Sequence, residues 1–348
     1  MSVDLSKLIL REKIDMASLG GRTIAVDAYN TIYQFLTIIR QPDGTPLMDQ
    51  NGNVTSHLSG LFFRMIELIG NGIRPIMVFD GIPSLLKQRT INARMKRRDE
   101  AFSEWQKARE EGNLEEARTR AQQSTRITKE IVSSSKHLLE LMGIPYVNAP
   151  SEGEAEASHM CKNGRTDLVG SQDYDTLLFG APKVVRNLTI SGRRKLPRKN
   201  IYVNVEPELV DLELTLHSLA ISNRQLIWIG IMLGTDFNEG IRGIGPKTAL
   251  KIAKPSRSLD EVIAEVKKKF GAEFDTDVHE VENLFLNPEV IDVPEDAVRY
   301  AQRPDKPEIL RFMCDEHGFS RERIEKFADK LASARGETNQ QGMHKWLK

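Results

Sequence analysis

"IRPIMVFDGIPSLLKQR", residues 73–89, runs from an apolar stretch into an acid and straight on into a basic, helix-like segment. A short continuous apolar run bounded by turn residues fits a strand buried on both faces of a parallel sheet. Two other stretches end the same way: "RTIAVDA" leads into Asp27, and "TDLVGSQDYD" into Asp173 and Asp175. Helix-compatible stretches lie between them, 57–70 and 128–142 included, which gives the alternation of an α/β fold. The expected architecture is a central, mostly parallel twisted sheet flanked by helices. Ligands of such sheets bind beyond the carboxyl ends of the strands, which puts Asp27, Asp80, Asp173 and Asp175 along one edge.

The chain has 348 residues, 40% of them hydrophobic, enough for a substantial core. Its 49 basic and 49 acidic residues cancel, so any case for nucleic acid must come from where charges cluster. The two cysteines, Cys161 and Cys314, form no CxxC pair, which argues against a disulfide framework or a thiolate zinc site and for a reducing interior. No signal-like apolar core and no uncharged run of membrane-spanning length is present, so the expectation is a soluble, cytoplasmic protein. Residues 87–130 are polar, with a helix break at Gly112 and Asn113; from about 215 the chain reads mostly as helices, and from Glu337 as a polar tail, disordered when alone.

"APSEGEAEAS" places Glu152 and Glu154 at a helix start, where Ser151 and Glu154 also match a capping box. Asp27, the "DYD" acids and Asp236 in "GTDFNEG" each have a plain alternative as turn formers. Together, seven carboxylates offered to one edge repel one another and require cations. Oxygen-only ligation suits Mg²⁺ or Mn²⁺ and not the usual zinc set. Two such ions about 4 Å apart clamp the attacking and leaving oxygens of a phosphodiester.

Six basic residues and no acid lie between Lys87 and Arg98, directly after Asp80, where they can receive a polyanion. "SGRRKLPRKN" reads as an exposed loop rather than a second patch. "GIRGIGPKTALKI", Gly240–Ile252, combines three glycines with Pro246 at a helix start and Lys247 behind it, a phosphate-binding arrangement. It is no P-loop, since Pro246 stands where that motif needs glycine and no strand precedes it.

At this point the chain resembles the structure-specific 5′ nucleases, and within them the flap endonucleases of archaea and eukaryotes. The matching segments are "VDAYNTIYQFL", "TSHLSGLFFR", "NGIRPIMVFDG", "HLLELMGIPYVNAPSEGEAEAS", "QDYDTLLFG" and "LGTDFNEGIRGIGPKTAL", which cover most of 20–255. The resemblance implies a nuclease fold of the PIN-like type and two divalent ions, Mg²⁺ with Mn²⁺ as substitute, held by Asp27, Asp80, Glu152, Glu154, Asp173, Asp175 and Asp236. It implies that 87–130 form a helical arch threaded by 5′ flaps, with Lys87 and Arg94 polarising the scissile phosphate beside Asp80. It implies substrate contacts for Tyr33, which stacks on a base, and for Glu152, Gly234, Asp236, Gly243, Gly245 and Lys247. The last three belong to a helix-two-turn-helix at about 225–255 that grips duplex phosphates beside K⁺. Thr55, Phe319 and Arg323 fall where the family binds a one-nucleotide 3′ flap. Gln340, Met343, Trp346 and Leu347 follow the spacing of a sliding-clamp-binding box, with Trp-Leu replacing the usual two aromatics. The basic tail of eukaryotic members is lacking, which suits an archaeal type.

The resulting division is one nuclease domain, 1–335, and a flexible tail, 336–348. Within the domain lie a nuclease region at about 1–130, an internal region at about 131–255 and a helical remainder at 256–335. The function expected is a monomeric 5′ flap endonuclease with 5′–3′ exonuclease activity, acting on branched DNA in Okazaki fragment maturation and repair. The alternatives are a relative acting on other junctions or RNA, and a non-catalytic junction-binding clamp partner.

Overall fold

The apolar run at 74–79 is a central strand, and its alternate side chains feed two different cores. The computed structural model describes the backbone of residues 3–190, 192–195 and 202–346, and the side chains of 3–190, 192 and 205–336. In chain order the first elements are β1 (Glu12–Lys13), β2 (Thr23–Asp27), α1 (Ala28–Ile38), α2 (Ser56–Gly70) and β3 (Arg74–Phe79). Then come α3 (Gln88–Glu110), α4 (Leu114–Gln123), α5 (Lys129–Leu141), β4 (Tyr146–Asn148), α6 (Gly153–Lys162), β5 (Leu168–Gly170), α7 (Asp175–Leu178) and β6 (Lys183–Arg186). β7 (Gly192–Lys195), β8 (Tyr202–Val205) and β9 (Glu208–Asp211) precede the helical region: α8 (Leu212–Leu219), α9 (Asn223–Leu233), α10 (Pro246–Ala253), α11 (Leu259–Phe270), α12 (Val278–Leu286), α13 (Lys306–Leu310) and α14 (Arg321–Trp346).

Seven strands form one sheet in the order β1-β9-β6-β5-β2-β3-β4, with β6-β5-β2-β3-β4 parallel and β9 antiparallel to both its neighbours, β6 and β1, at one edge. The expected mostly parallel sheet is therefore present. Ile24, Val26, Met77 and Phe79 point into a core shared with α1, α2, α5 and α14, while Ala25, Ile76 and Val78 point into one shared with α6, α9, α10 and α11. Burial on both faces is what a continuous apolar strand requires. The chain runs outward from β2 to β3 and β4 on one side and places β5 and β6 on the other, so the strand order reverses beside β2, the usual ligand crevice of such sheets.

Two expectations change. "SGRRKLPRKN" is not simply a loop: Gly192–Lys195 pair antiparallel with Tyr202–Val205 as a separate two-stranded sheet, while Ser191 and 196–201 lie outside the described residues. The tail expected to be disordered is helical in its backbone as far as Trp346, because α14, which contains no proline, continues without a stop past the buried Ile324, Ala328 and Leu331. The side chains of Gln340, Met343 and Trp346, and all of Leu347, lie outside the described residues. The break in the 87–130 segment falls as expected, at Gly112 in the left-handed region (φ 72°) and at Asn113, which caps α4. No helix among the described residues is long and apolar enough to cross a membrane.

Candidate active site

Each acid sits where an element starts or stops. Asp27 closes β2 and caps α1, its Oδ1 accepting from the Asn30 amide at 2.9 Å. Asp80 follows β3, and its Oδ1 accepts from the Gly153 amide at 2.8 Å. Asp175 opens α7 and accepts from the Val3 amide at 3.1 Å. Asp236 lies just beyond α9, after Gly234, whose φ of 94° and close approach to Gly240 require glycine.

The capping box that Ser151 and Glu154 match as a plain alternative does not form: α6 starts at Gly153 with Glu152 at its N-cap and no side-chain cap from the N-cap residue. Asp80 supplies that anion from the adjoining strand, where an N-terminus favours it. Glu154 faces Ser171 instead, whose hydroxyl donates to its Oε1 at 3.2 Å. The Ser151 carbonyl accepts from Gly81 at 2.7 Å. A Cβ on Gly81 would lie 2.2 Å from the backbone oxygen of Ala149, so that position requires glycine, and one on Gly153 would lie 2.6 Å from Asp80 Oδ1 and push that carboxylate aside.

Asp27, Asp80, Glu152, Glu154, Asp173 and Asp236 line one cleft of about 960 Å³, together with Tyr33, Lys87, Arg94, Arg97 and Arg98. The side walls are α3 and α4, which also contribute Arg120 and Gln123. Lys87 donates to Glu152 and stands 3.5 Å from Asp236 Oδ2, while Arg94 donates to Asp236. Arg98 lies 5.7 Å from the Tyr33 ring centroid. Sequence reading singled out Lys87 and Arg94 here and took in Arg97 and Arg98 only as part of the basic run 87–98, and it did not mark Gly81 or Gly153. The only sequence cue to the two extra arginines was the basic run itself.

Burial, followed by repulsion from Asp80, pushes Asp27 up to about 8. Burial and then Glu152 push Asp80 up to about 6, and burial and then Asp236 push Asp175 up to about 7. Burial, then Asp173 and Asp175, hold Glu154 well above the usual carboxylate range. Against the burial penalty, Arg94 and Lys87 hold Asp236 below that range, and Glu152 and Asp236 hold Lys87 above the usual lysine range. The cluster is thus short of positive charge. Its donors are all oxygens, which fits hard divalent cations, although among the described residues no three acidic groups close around one point as a finished coordination sphere.

Residues 4–101 match the XPG N-terminal domain and residues 143–236 the XPG I-region. Flap endonuclease 1 of Thermococcus onnurineus is 48% identical over 348 residues, spanning 100% of this chain and 99% of the relative. That of Pyrococcus furiosus is 47% identical, spanning 100% of both. The chain belongs to the flap endonuclease family. The solved structure of flap endonuclease-1 from Methanococcus jannaschii is similar at 38% identity and a TM-score of 0.74, covering 96% of this chain and 99% of that one.

The other flap endonuclease positions read from the sequence lie outside the cleft lining. Pro246 occupies the first turn of α10 with Gly245 as N-cap, Gly243 has φ 90°, and Lys247 is exposed beside them. Thr55 is buried at the start of α2, Phe319 packs against the core containing α14, and Arg323 stacks 4.2 Å from the Phe63 ring.

Proposed function

We propose that this member of the flap endonuclease family hydrolyses one phosphodiester at the base of a 5′ flap in branched DNA, leaving a 5′ phosphate and a 3′ hydroxyl, and that the same site trims 5′ ends exonucleolytically. The observation that carries the reading is the meeting of acids from β2, β3, α6, the turn into α7 and the loop after α9 in one cleft walled by the basic helix α3 and by α4. Asp27, Asp80, Glu152, Glu154, Asp173, Asp175 and Asp236 would hold two Mg²⁺ ions, or Mn²⁺ in their place, which supply water activation and leaving-group stabilisation when bound.

The side chains of the chain do the positioning. Lys87 and Arg94, anchored by Glu152 and Asp236, present cations where the scissile phosphate enters. Tyr33 offers an aromatic face to an unpaired base. Duplex phosphates would meet Lys247 and the amides of Gly243 and Gly245, with Gly234 shaping the loop and K⁺ beside it, while Thr55, Phe319 and Arg323 would take a 3′ flap. The protein would work as a monomer, in Okazaki fragment maturation and repair. Gln340, Met343, Trp346 and Leu347 would bind a sliding clamp; deleting 340–348 should then abolish stimulation by the clamp and leave cleavage of a free flap unchanged.

The test is cleavage of end-labelled flap, nicked, bubble and single-stranded substrates with and without Mg²⁺. Strong, Mg²⁺-dependent preference for the flap is the expected result; equal cutting of the bubble, or binding without cutting, favours one of the rival readings.

A further inference from the structure

We infer that Asn30 and Gln34 are positioning residues for the carboxylate of Asp173, a role that rests on the reading of Asp173 as a metal ligand. Asn30 Nδ2 donates to Asp173 Oδ2 at 2.8 Å. Gln34 Nε2 donates to Asn30 Oδ1, and Thr189 Oγ1 donates to Gln34 Oε1 at 2.9 Å. Asn30 and Gln34 are one turn apart on α1, so their side chains share a face. Thr189, beyond β6, is buried at 6% exposure and closes the relay at its other end.

The relay has one self-consistent polarity. An ionised carboxylate only accepts hydrogen bonds, whereas an amide both donates and accepts. Asn30 must therefore turn its NH₂ to Asp173, which leaves its oxygen for the NH₂ of Gln34. The Gln34 oxygen then needs a donor, and the Thr189 hydroxyl is one. Flipping either amide sets oxygen against oxygen or nitrogen against nitrogen. Ser171 holds the same loop through the backbone: its hydroxyl accepts from the Asp173 amide at 3.1 Å and donates to Glu154. A cavity of only about 10 Å³ lies along the relay, between Asn30, Gln34, Ser171 and Thr189, while Asn30 also borders the main cleft that holds Asp173.

Groups that orient a metal ligand from behind typically contribute 10- to 100-fold in metal affinity. The test titrates Mn²⁺ into the full chain and follows the free-ion electron paramagnetic resonance signal, with the melting temperature recorded without Mn²⁺. Asn30→Leu should weaken Mn²⁺ binding by about 10-fold or more. Gln34→Glu keeps the shape of the side chain but replaces the donor with an acceptor that draws the Asn30 NH₂ away from Asp173, and should weaken binding comparably. The double variant should be no weaker than Asn30→Leu alone, since one break already opens the relay. Thr189→Val should lose affinity that Thr189→Ser retains. Should Asn30→Leu fail to fold, Gln34→Glu and Thr189→Val decide. If wild type binds Mn²⁺ and Asp173→Asn loses it while Asn30→Leu and Gln34→Glu bind as wild type, the relay is refuted and the ligand reading stands. If Asp173→Asn binds as well as wild type, the ligand reading fails and the relay with it.

Discussion

The carboxylate of Asp80 accepts a hydrogen bond at 2.8 Å from the backbone amide of Gly153, tying the end of β3 to the first turn of the helix that carries Glu154 and follows Glu152. Three acids from segments 73 residues apart are thereby fixed by one contact. The contact needs a residue without a side chain on the helix side.

Gly153→Ala should therefore separate Asp80 from the helix while leaving the two cores intact. A displacement on the order of 1 Å at a reacting centre can cost about 100-fold in rate. Single-turnover cleavage of a flap should fall by about that factor, with the melting temperature nearly unchanged. A wild-type rate would show that Asp80 keeps its place without this contact.

Lys87 is bound to Glu152 and close to Asp236. If it stabilises charge that develops in the transition state, Lys87→Ala should slow single-turnover cleavage by at least about 100-fold while binding changes much less. A lysine serving only as a phosphate contact would instead weaken binding and reduce its salt slope by about one, with the saturated rate preserved. Measuring both on the same flap across a salt series separates the two.

The strands at 23–27 and 74–79 were legible because burial on both faces leaves an uninterrupted apolar run, and the rule that ligands gather beyond parallel strand ends then located Asp27, Asp80 and Asp173. The β7–β8 pair was not, since Gly192–Lys195 is glycine and three cations with no apolar period. Nor could Ser151 and Glu154 reveal that their helix is capped by Asp80, a partner supplied by tertiary structure. Asn30 and Gln34 escaped for the same reason: what fixes their amides is Thr189, 155 residues from Gln34. Local pattern reports a residue's neighbours in the chain, and these are decided by neighbours in space.

His57 gives a pH prediction independent of the acidic cleft. It is buried on α2 with Nε2 2.8 Å from Ser134 Oγ and, among the described residues, no partner for Nδ1. Burial, then the neighbouring His317, pushes its pKa down to about 3. The unfolded chain, with an imidazole near 6.5, binds that proton first, so stability is lost as pH falls from about 6.5 toward about 3. The loss attributable to His57 between about pH 7 and about pH 5 should be about 2 kcal/mol. Urea unfolding of wild type and His57→Gln at both pH values should show the variant with a shallower loss; parallel losses would place the acid sensitivity elsewhere.

The most direct measurement is single-turnover cleavage and equilibrium binding of one flap substrate by wild type and Asp175→Ala, at saturating Mg²⁺. Asp175 is 4% exposed, is repelled by Asp236 and Asp173, and does not belong to the basic helix α3 that is proposed to receive the DNA backbone. If the acids hold the ions that carry out the hydrolysis, the variant should bind the flap within a few-fold of wild type and cut it at least about 100-fold more slowly. Near-normal turnover by Asp175→Ala would contradict the assignment of this cleft as a metal-dependent nuclease centre.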